Sequence, residues 1–266
     1  MSIWLLLIIL LAALAFLTHP SLRYGKMRRW RGQKFAHRGL HDGGKEIVEN
    51  TLPAFAAARD GGYGMELDIR FTRDMRVVVF HDDDLSRLAG DPRRIRDLTL
   101  GELRGIPLMG REDARVPTLR EVLDAVGGKT PLLIEVKNGR DNGKLCQALM
   151  EHLEGYPGEV LVESFNPLIV AWFRFHAREL PRGQLVDSLP SYRPVVNFAA
   201  GVFMSGMLGN FLARPDFVAY NANALRFFSP HFQRFLFHTP MAAWTVRDKN
   251  LAALVEKRGE ISIFEK

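Results

Sequence analysis

The chain is poor in cysteine: Cys146 is the only one among 266 residues. That excludes an intrachain disulfide and a Cys-rich zinc site, so cysteine usage says nothing about redox compartment. Collagen repeats and low-complexity scaffolds are missing too, and 47% hydrophobic with 25% charged residues fits an ordinary globular chain. Acidic residues are absent from one stretch. Residues 19–34 hold Arg23, Lys26, Arg28, Arg29, Arg31 and Lys34 and no Asp or Glu. The 36 basic and 30 acidic side chains give +6, and removing those six basic residues leaves 30 against 30. The basic excess is one local cluster with no module signature, so no nucleic-acid partner is expected.

Charge is absent from Met1 to Thr18, and Ile3 to Leu17 is an unbroken apolar run. Eighteen helical residues at 1.5 Å each span about 27 Å, near the lower limit for a ~30 Å hydrocarbon core. A cleaved signal peptide wants basic residues before such a run and a small-x-small site after it. Neither is present, since the run leads into Thr18-His19-Pro20-Ser21. The reading is a transmembrane anchor over 1–18 and a basic juxtamembrane segment over 19–32. A body over 33–266 then lies on the cytoplasmic side of the cell membrane, single-pass by the positive-inside rule. The basic cluster, with Trp30, is also placed to meet anionic membrane lipids.

Within the body, short apolar runs alternate with helical patterns. Strands are expected at Lys34–Ala36, Met65–Phe71, Val77–Phe80, Leu132–Val136, Val160–Val162, Gly183–Val186, Phe217–Tyr220, Ala242–Val246 and Ile261–Phe264. Thr99-x-x-Glu102 and Thr118-x-x-Glu121 are capping boxes. After the second, Leu119, Val122, Leu123 and Val126 recur at helical spacing. Asp248 and Gly259 bracket the last helix. Alternating strand–helix units predict an α/β fold, a (β/α)8 TIM barrel. Nine strands are one too many for it. The link Thr72–Arg76 is also too short for a parallel crossover, so the connection between the second and third strands is irregular. Pro194 to Ala213 is a second charge-free stretch, but it holds three glycines and two asparagines. It reads as a buried barrel helix or a segment dipping into the membrane surface rather than a crossing.

Acids and histidines recur where strand patterns end. His37 follows the first strand and His81 the third, Glu66 and Asp68 share one face of the second, and Glu135 and Lys137 share one face of another. In a parallel barrel these ends converge. Three carboxylates drawn together need a cation, and all-oxygen ligation favours a hard one, Mg²⁺ or Ca²⁺. Two histidines beside it can serve as general base and acid, and Arg38 and Lys137 can neutralise a phosphate. Singly, each group also reads as an exposed strand face, a surface ion pair or a structural histidine. Together, charges at the ends of apolar strands such as Leu132-Leu133-Ile134 call for a functional reason. His152, His176, His19, His231 and His238 read as structural, and His41 stays open.

The segments Ala36-His37-Arg38-Gly39, Glu49-Asn50-Thr51-Leu52-Pro53-Ala54-Phe55, Glu66-Leu67-Asp68-Ile69, Val79-Phe80-His81-Asp82-Asp83, Pro117-Thr118-Leu119, Ile134-Glu135-Val136-Lys137, Ser164-Phe165 and Trp244-Thr245-Val246 resemble the glycerophosphodiester phosphodiesterases, relatives of the phosphoinositide-specific phospholipases C. The resemblance implies a (β/α)8 barrel and one divalent cation on Glu66, Asp68 and Glu135, with Glu49 and Asn50 nearby. It implies His37 and His81 as the acid/base pair, Arg38 and Lys137 on the phosphate, and Phe165 and Trp244 lining the pocket. The chain departs from the family at its end, where Ile261-Ser262-Ile263-Phe264-Glu265-Lys266 replaces an Ile-Thr-Asp-like stop. The stretch 194–213 is also outside the family's common core. The expected activity is metal-dependent hydrolysis of a small or lipid-derived phosphodiester to glycerol 3-phosphate and an alcohol. The alternatives are a lysophospholipase D and an inactive membrane-tethered lipid or phosphate binder. No protein partner is inferable.

Overall fold

The computed structural model describes residues 2–224 and 228–266. Among the described residues eleven strands occur in chain order: β1 (Lys34–Ala36), β2 (Gly64–Phe71), β3 (Val77–Val79), β4 (Asp84–Leu85), β5 (Asp91–Arg94), β6 (Leu132–Val136), β7 (Val160–Ser164), β8 (Arg182–Val186), β9 (Phe217–Asn221), β10 (Met241–Val246) and β11 (Ile261–Phe264). Eight of them close a parallel barrel in the order β1-β2-β6-β7-β8-β9-β10-β11, with β11 returning to β1. This is the TIM-barrel architecture the alternation predicts. The surplus strand is β3, which folds back antiparallel on β2 with Ile69 opposite Val79. Five residues suffice for that reversal, which the amide of Thr72 closes on the carbonyl of Arg76 at 3.0 Å. The expected irregular connection is thus a hairpin.

Both capping boxes form, with Thr99 and Thr118 each accepting from the amide three residues on. Asp248 caps Lys249–Arg258, and Gly259 ends it at φ 63°. Residues 80–117 leave the barrel wall and build a small core of their own on Phe80, Leu85, Leu88, Ile95 and Leu103, with the hairpin of β4 and β5. No periodic signal in the sequence pointed to that hairpin. The stretch 194–213 forms two short helices, Phe198–Ser205 and Asn210–Ala213, divided at Gly206 and Gly209. The stretch is mixed in burial, which does not fit the first of the two readings, a buried barrel helix: Gly201, Met207, Asn210 and Ala213 are buried while Val195 and Phe198 are exposed.

The transmembrane expectation is overturned. The first helix, Ile3–Thr18, has 16 residues, about 24 Å at 1.5 Å per residue. Among the described residues, no helix is long and apolar enough to cross a membrane. A single-pass placement at the cell membrane, with the body assigned to the cytoplasmic side, therefore loses its basis. The basic segment behind that helix is instead bound into the barrel. Arg23 pairs with Asp216 at 2.7 Å, Lys26 with Glu179 at 3.1 Å and Arg29 with Glu159 at 2.8 Å. Met27 and Trp30 are 2% and 1% exposed and pack with Phe35, Leu133, Leu161 and Phe217 in the barrel interior. Residues taken from sequence as a juxtamembrane tether close the N-terminal end of the barrel.

Candidate active site

Inward positions of the strands change character along their length. On β6, Leu133 belongs to the apolar interior, and Glu135 and Lys137 follow at i+2 and i+4 on the same face. On β7, Leu161 precedes Glu163 in the same way. Register then sets the acids side by side: Asp68 of β2 lies opposite Glu135 of β6, and Glu135 opposite Glu163 of β7. Glu66, Asp68 and Glu135 each bring one carboxylate oxygen within 4.8 Å of the others, and all three are buried.

The residues singled out from sequence meet here. His37, Arg38, Glu66, His81, Glu135, Phe165 and Trp244 line one cavity of about 430 Å³ at the C-terminal end of the barrel. Lys137 is outside that lining, its Nζ 2.8 Å from Asp68 Oδ1 and 2.7 Å from Glu135 Oε1. Arg38 donates from its backbone to Glu66 Oε2 at 2.9 Å and from Nη1 to Glu49 Oε1 at 2.7 Å. Asn50 donates from Nδ2 to Asp68 Oδ2 at 2.9 Å. Phe165 and Trp244 meet edge to face, ring centroids 5.8 Å apart. His41 lies outside this lining; its Nδ1 accepts from the Gly43 amide at 3.2 Å.

Both histidines are held from behind. His37 Nδ1 is 2.5 Å from Glu265 Oε1, and Arg247 Nε donates to the other oxygen of Glu265 at 2.7 Å. His81 Nδ1 is 2.7 Å from Asp82 Oδ1, and Arg87 joins Asp82 to Glu49 with bonds of 2.7 Å to each. With Nδ1 engaged, each ring has Nε2 for chemistry; that of His37 lies 3.9 Å from Glu66 Oε2.

Electrostatics separates these groups. Burial, reinforced by Asp68, Glu135 and Glu163, pushes the Glu66 carboxyl well above the carboxylate range. Burial acts the same way on Glu163, with Glu135 and Asp68 adding to it. Glu135 is raised by burial, with Lys137 pulling the other way. Asp68 goes down: burial opposes, but Lys137, His81 and Arg38 together prevail. Burial lowers His37 below its ordinary value, against the pull of Glu265. The residues fit a hard cation. Three carboxylates share one small space, and Asn50 Oδ1 and Glu163 Oε2 are buried oxygens with no hydrogen bond, at a cost that ligation or a bound hydroxyl would remove.

Sequence reasoning missed Glu163, Glu265, Arg247 and Arg87. Glu163 carried a readable signal, an acid in the apolar strand Val160-Leu161-Val162, the same signal that marked Glu135. Glu265 carried none, because its partner lies 228 positions away.

The sequence model of the glycerophosphoryl diester phosphodiesterase family matches residues 37–264, and the chain belongs to that family. It is 35% identical over 143 residues to a glycerophosphodiester phosphodiesterase of Caldanaerobacter subterraneus, covering 49% of this chain and 57% of that protein. It is 33% identical over 167 residues to human lysophospholipase D GDPD1, covering 57% of this chain and 51% of that protein. The chain thus spans little more than half the length of these curated relatives. Its fold superposes with TM-score 0.71 on an Oleispira antarctica phosphodiesterase solved with the product sn-glycerol-3-phosphate, at 22% identity over 89% of this chain and 94% of that one.

Proposed function

We propose that this chain is a divalent-metal-dependent glycerophosphodiester phosphodiesterase, releasing glycerol 3-phosphate and an alcohol. The observation that carries the reading is the meeting of Glu66, Asp68 and Glu135 within 4.8 Å, with Glu66 and Glu135 lining a cavity they share with His37 and His81. Those three carboxylates would hold one Mg²⁺ or Ca²⁺, which would supply positive charge to the phosphate and ease deprotonation of the attacking hydroxyl.

The chain's own groups do the rest. One histidine takes the proton of the nucleophile at Nε2, and the other gives a proton to the leaving alcohol. Glu265 and Asp82 fix the two rings and stabilise whichever is charged. The nucleophile is the glycerol hydroxyl of the substrate, closing a cyclic phosphate that water opens, or water directly; both routes use the same pair. Arg38 faces the phosphate, and Lys137 offsets the carboxylates beneath it and draws phosphate charge toward them. Phe165 and Trp244 pack against the apolar part of the leaving group.

Similarity to a lysophospholipase D supports a second reading, release of the headgroup from lysophospholipids. Product identification separates the two. With glycerophosphocholine the expected products are choline and glycerol 3-phosphate, formed with Mg²⁺ or Ca²⁺ and lost with chelator. Release from lysophosphatidylcholine alone would overturn the first reading in favour of the second, and no metal-dependent release from either would leave a binding barrel.

A further inference from the structure

The opposite end of the barrel carries a second concentration of charge, of the other sign. Arg182 opens β8 and Asp216 immediately precedes β9, so both sit at the N-terminal rim. A cavity of about 660 Å³ there is lined by Arg23, Arg174, Arg178, Arg182, Arg214 and His19, and by no acid. Trp30, Phe35, Leu133 and Leu161 fill the interior between this cavity and the carboxylates, so the two sites do not communicate through the barrel.

These guanidiniums have few counter-charges. Arg174 Nη1 donates to the carbonyls of Phe211 and Leu212, and Arg214 Nη1 to those of Phe16 and His19. Arg178 forms no ion pair among the described residues. Among the described residues, Asp216 is the one carboxylate paired with Arg182, and Arg23 already holds both its oxygens, at 3.1 and 2.7 Å. The Arg182 side chain is 4% exposed, yet its Nη1 has no hydrogen bond. The nearest acid oxygen lies 3.5 Å away. Burial and the neighbouring Arg23, Arg174 and Arg178 press this guanidinium down to about 10, against the pull of Asp216. Arg182 donates from Nε to the Ala213 carbonyl and from Nη2 to the Arg214 carbonyl, so what is left unanswered is the Nη1 group of a buried arginine among four others, which is costly unless an anion joins it.

We propose that this cavity is a binding site for a phosphate-type oxyanion, seated on Arg182 and flanked by Arg174, Arg178 and Arg214. Guanidiniums pair with phosphate through forked, charge-assisted hydrogen bonds, and several in one concavity select a doubly charged group over a carboxylate. The group could be borne by a free phosphomonoester or by the headgroup of a phosphomonoester lipid; the recognising chemistry is the same. The site requires no turnover, so its failure and the failure of the proposed reaction are distinguishable.

The test uses the full chain with chelator present. Inorganic phosphate is titrated calorimetrically into wild type and into the double variant Arg174→Gln/Arg178→Gln. Loss of two charge-assisted contacts should weaken one class of phosphate sites by about tenfold or more, with glycerophosphocholine turnover under Mg²⁺ unchanged. Tungstate soaked into wild-type crystals should give an anomalous peak against Arg182, a measurement independent of how well the variant folds. Vesicles of phosphatidylcholine with and without phosphatidic acid assign the source. Extra binding to the acidic vesicles that the variant loses marks a lipid headgroup; phosphate binding without that extra marks a free ligand. Unchanged phosphate and vesicle binding in a folded variant, or no tungstate in the cavity, overturns the site.

Discussion

Glu265, one residue from the end of the chain, holds Nδ1 of His37, 228 positions earlier, at 2.5 Å. The pair closes across the seam of the barrel, where β11 lies beside β1. It also makes the C-terminal departure from the family pattern part of the site. Paired with His37 and Arg247, Glu265 is held below the ordinary carboxylate range although burial pushes it up.

Replacing Glu265 by Gln keeps the shape and removes the charge. kcat should fall by at least about tenfold, and by less than for His37→Ala, since general acid–base catalysis is worth ~10²–10⁴-fold. Without the carboxylate, His37 loses a partner that raises its pKa, so its titration moves to lower pH. Whether His37 serves as base or acid, its limb of the pH–rate profile shifts downward. An unmoved profile would sink the pairing as a functional contact.

His37→Ala and His81→Ala should each lower turnover by ~10²–10⁴-fold while the thermal midpoint stays near that of wild type. The check is steady-state kinetics with glycerophosphocholine beside a melting curve. A variant that melts early, or one that keeps wild-type kcat, removes that ring from the reaction.

Glu163→Gln should stabilise the metal-free protein at neutral pH. Burial raises the Glu163 carboxyl in the folded state, so the folded protein retains a proton that the unfolded chain gives up above its ordinary value. Stability from this group is therefore fully present below pH ~4.5 and is lost as pH rises through the folded-state pKa. Glutamine does not titrate, so its advantage should grow from pH 4.5 to pH 8. Urea midpoints measured across that range with chelator provide the check, and a constant difference contradicts the assignment.

Trp30→Ala removes a side chain 1% exposed from the closed end of the barrel. It should cost about 3–5 kcal/mol, as for other buried Trp-to-Ala changes. If residues 19–32 were only a tether, denaturant unfolding of the body would not respond.

Much of this was legible because barrel geometry turns local patterns into positions. The i, i+2 pair Glu66 and Asp68 and the pair Glu135 and Lys137 each fixed a face, and parallel register supplied the rest. What failed to show in the sequence was of two kinds. Glu265 to His37 and Arg23 to Asp216 are pairings across about two hundred positions, and no local spacing encodes them. The N-terminal apolar run was misread because hydropathy measures length along the sequence, whereas the helix ends where Thr18 is buried and its carbonyl accepts from Asn210 and Gln233 of the barrel.

The hairpin of β2 and β3 fixes one catalytic position by counting. β3 runs back down β2 until the amide of Phe80 meets the carbonyl of Asp68 at 2.9 Å, and His81 comes next. The four exposed positions, Arg73 to Arg76, usually free to vary at such a tip, are here a ruler. One residue added between Arg73 and Arg76 would offer Phe80 where the imidazole belongs. Surface accessibility at that tip therefore gives no licence for tags, loop grafts or new termini.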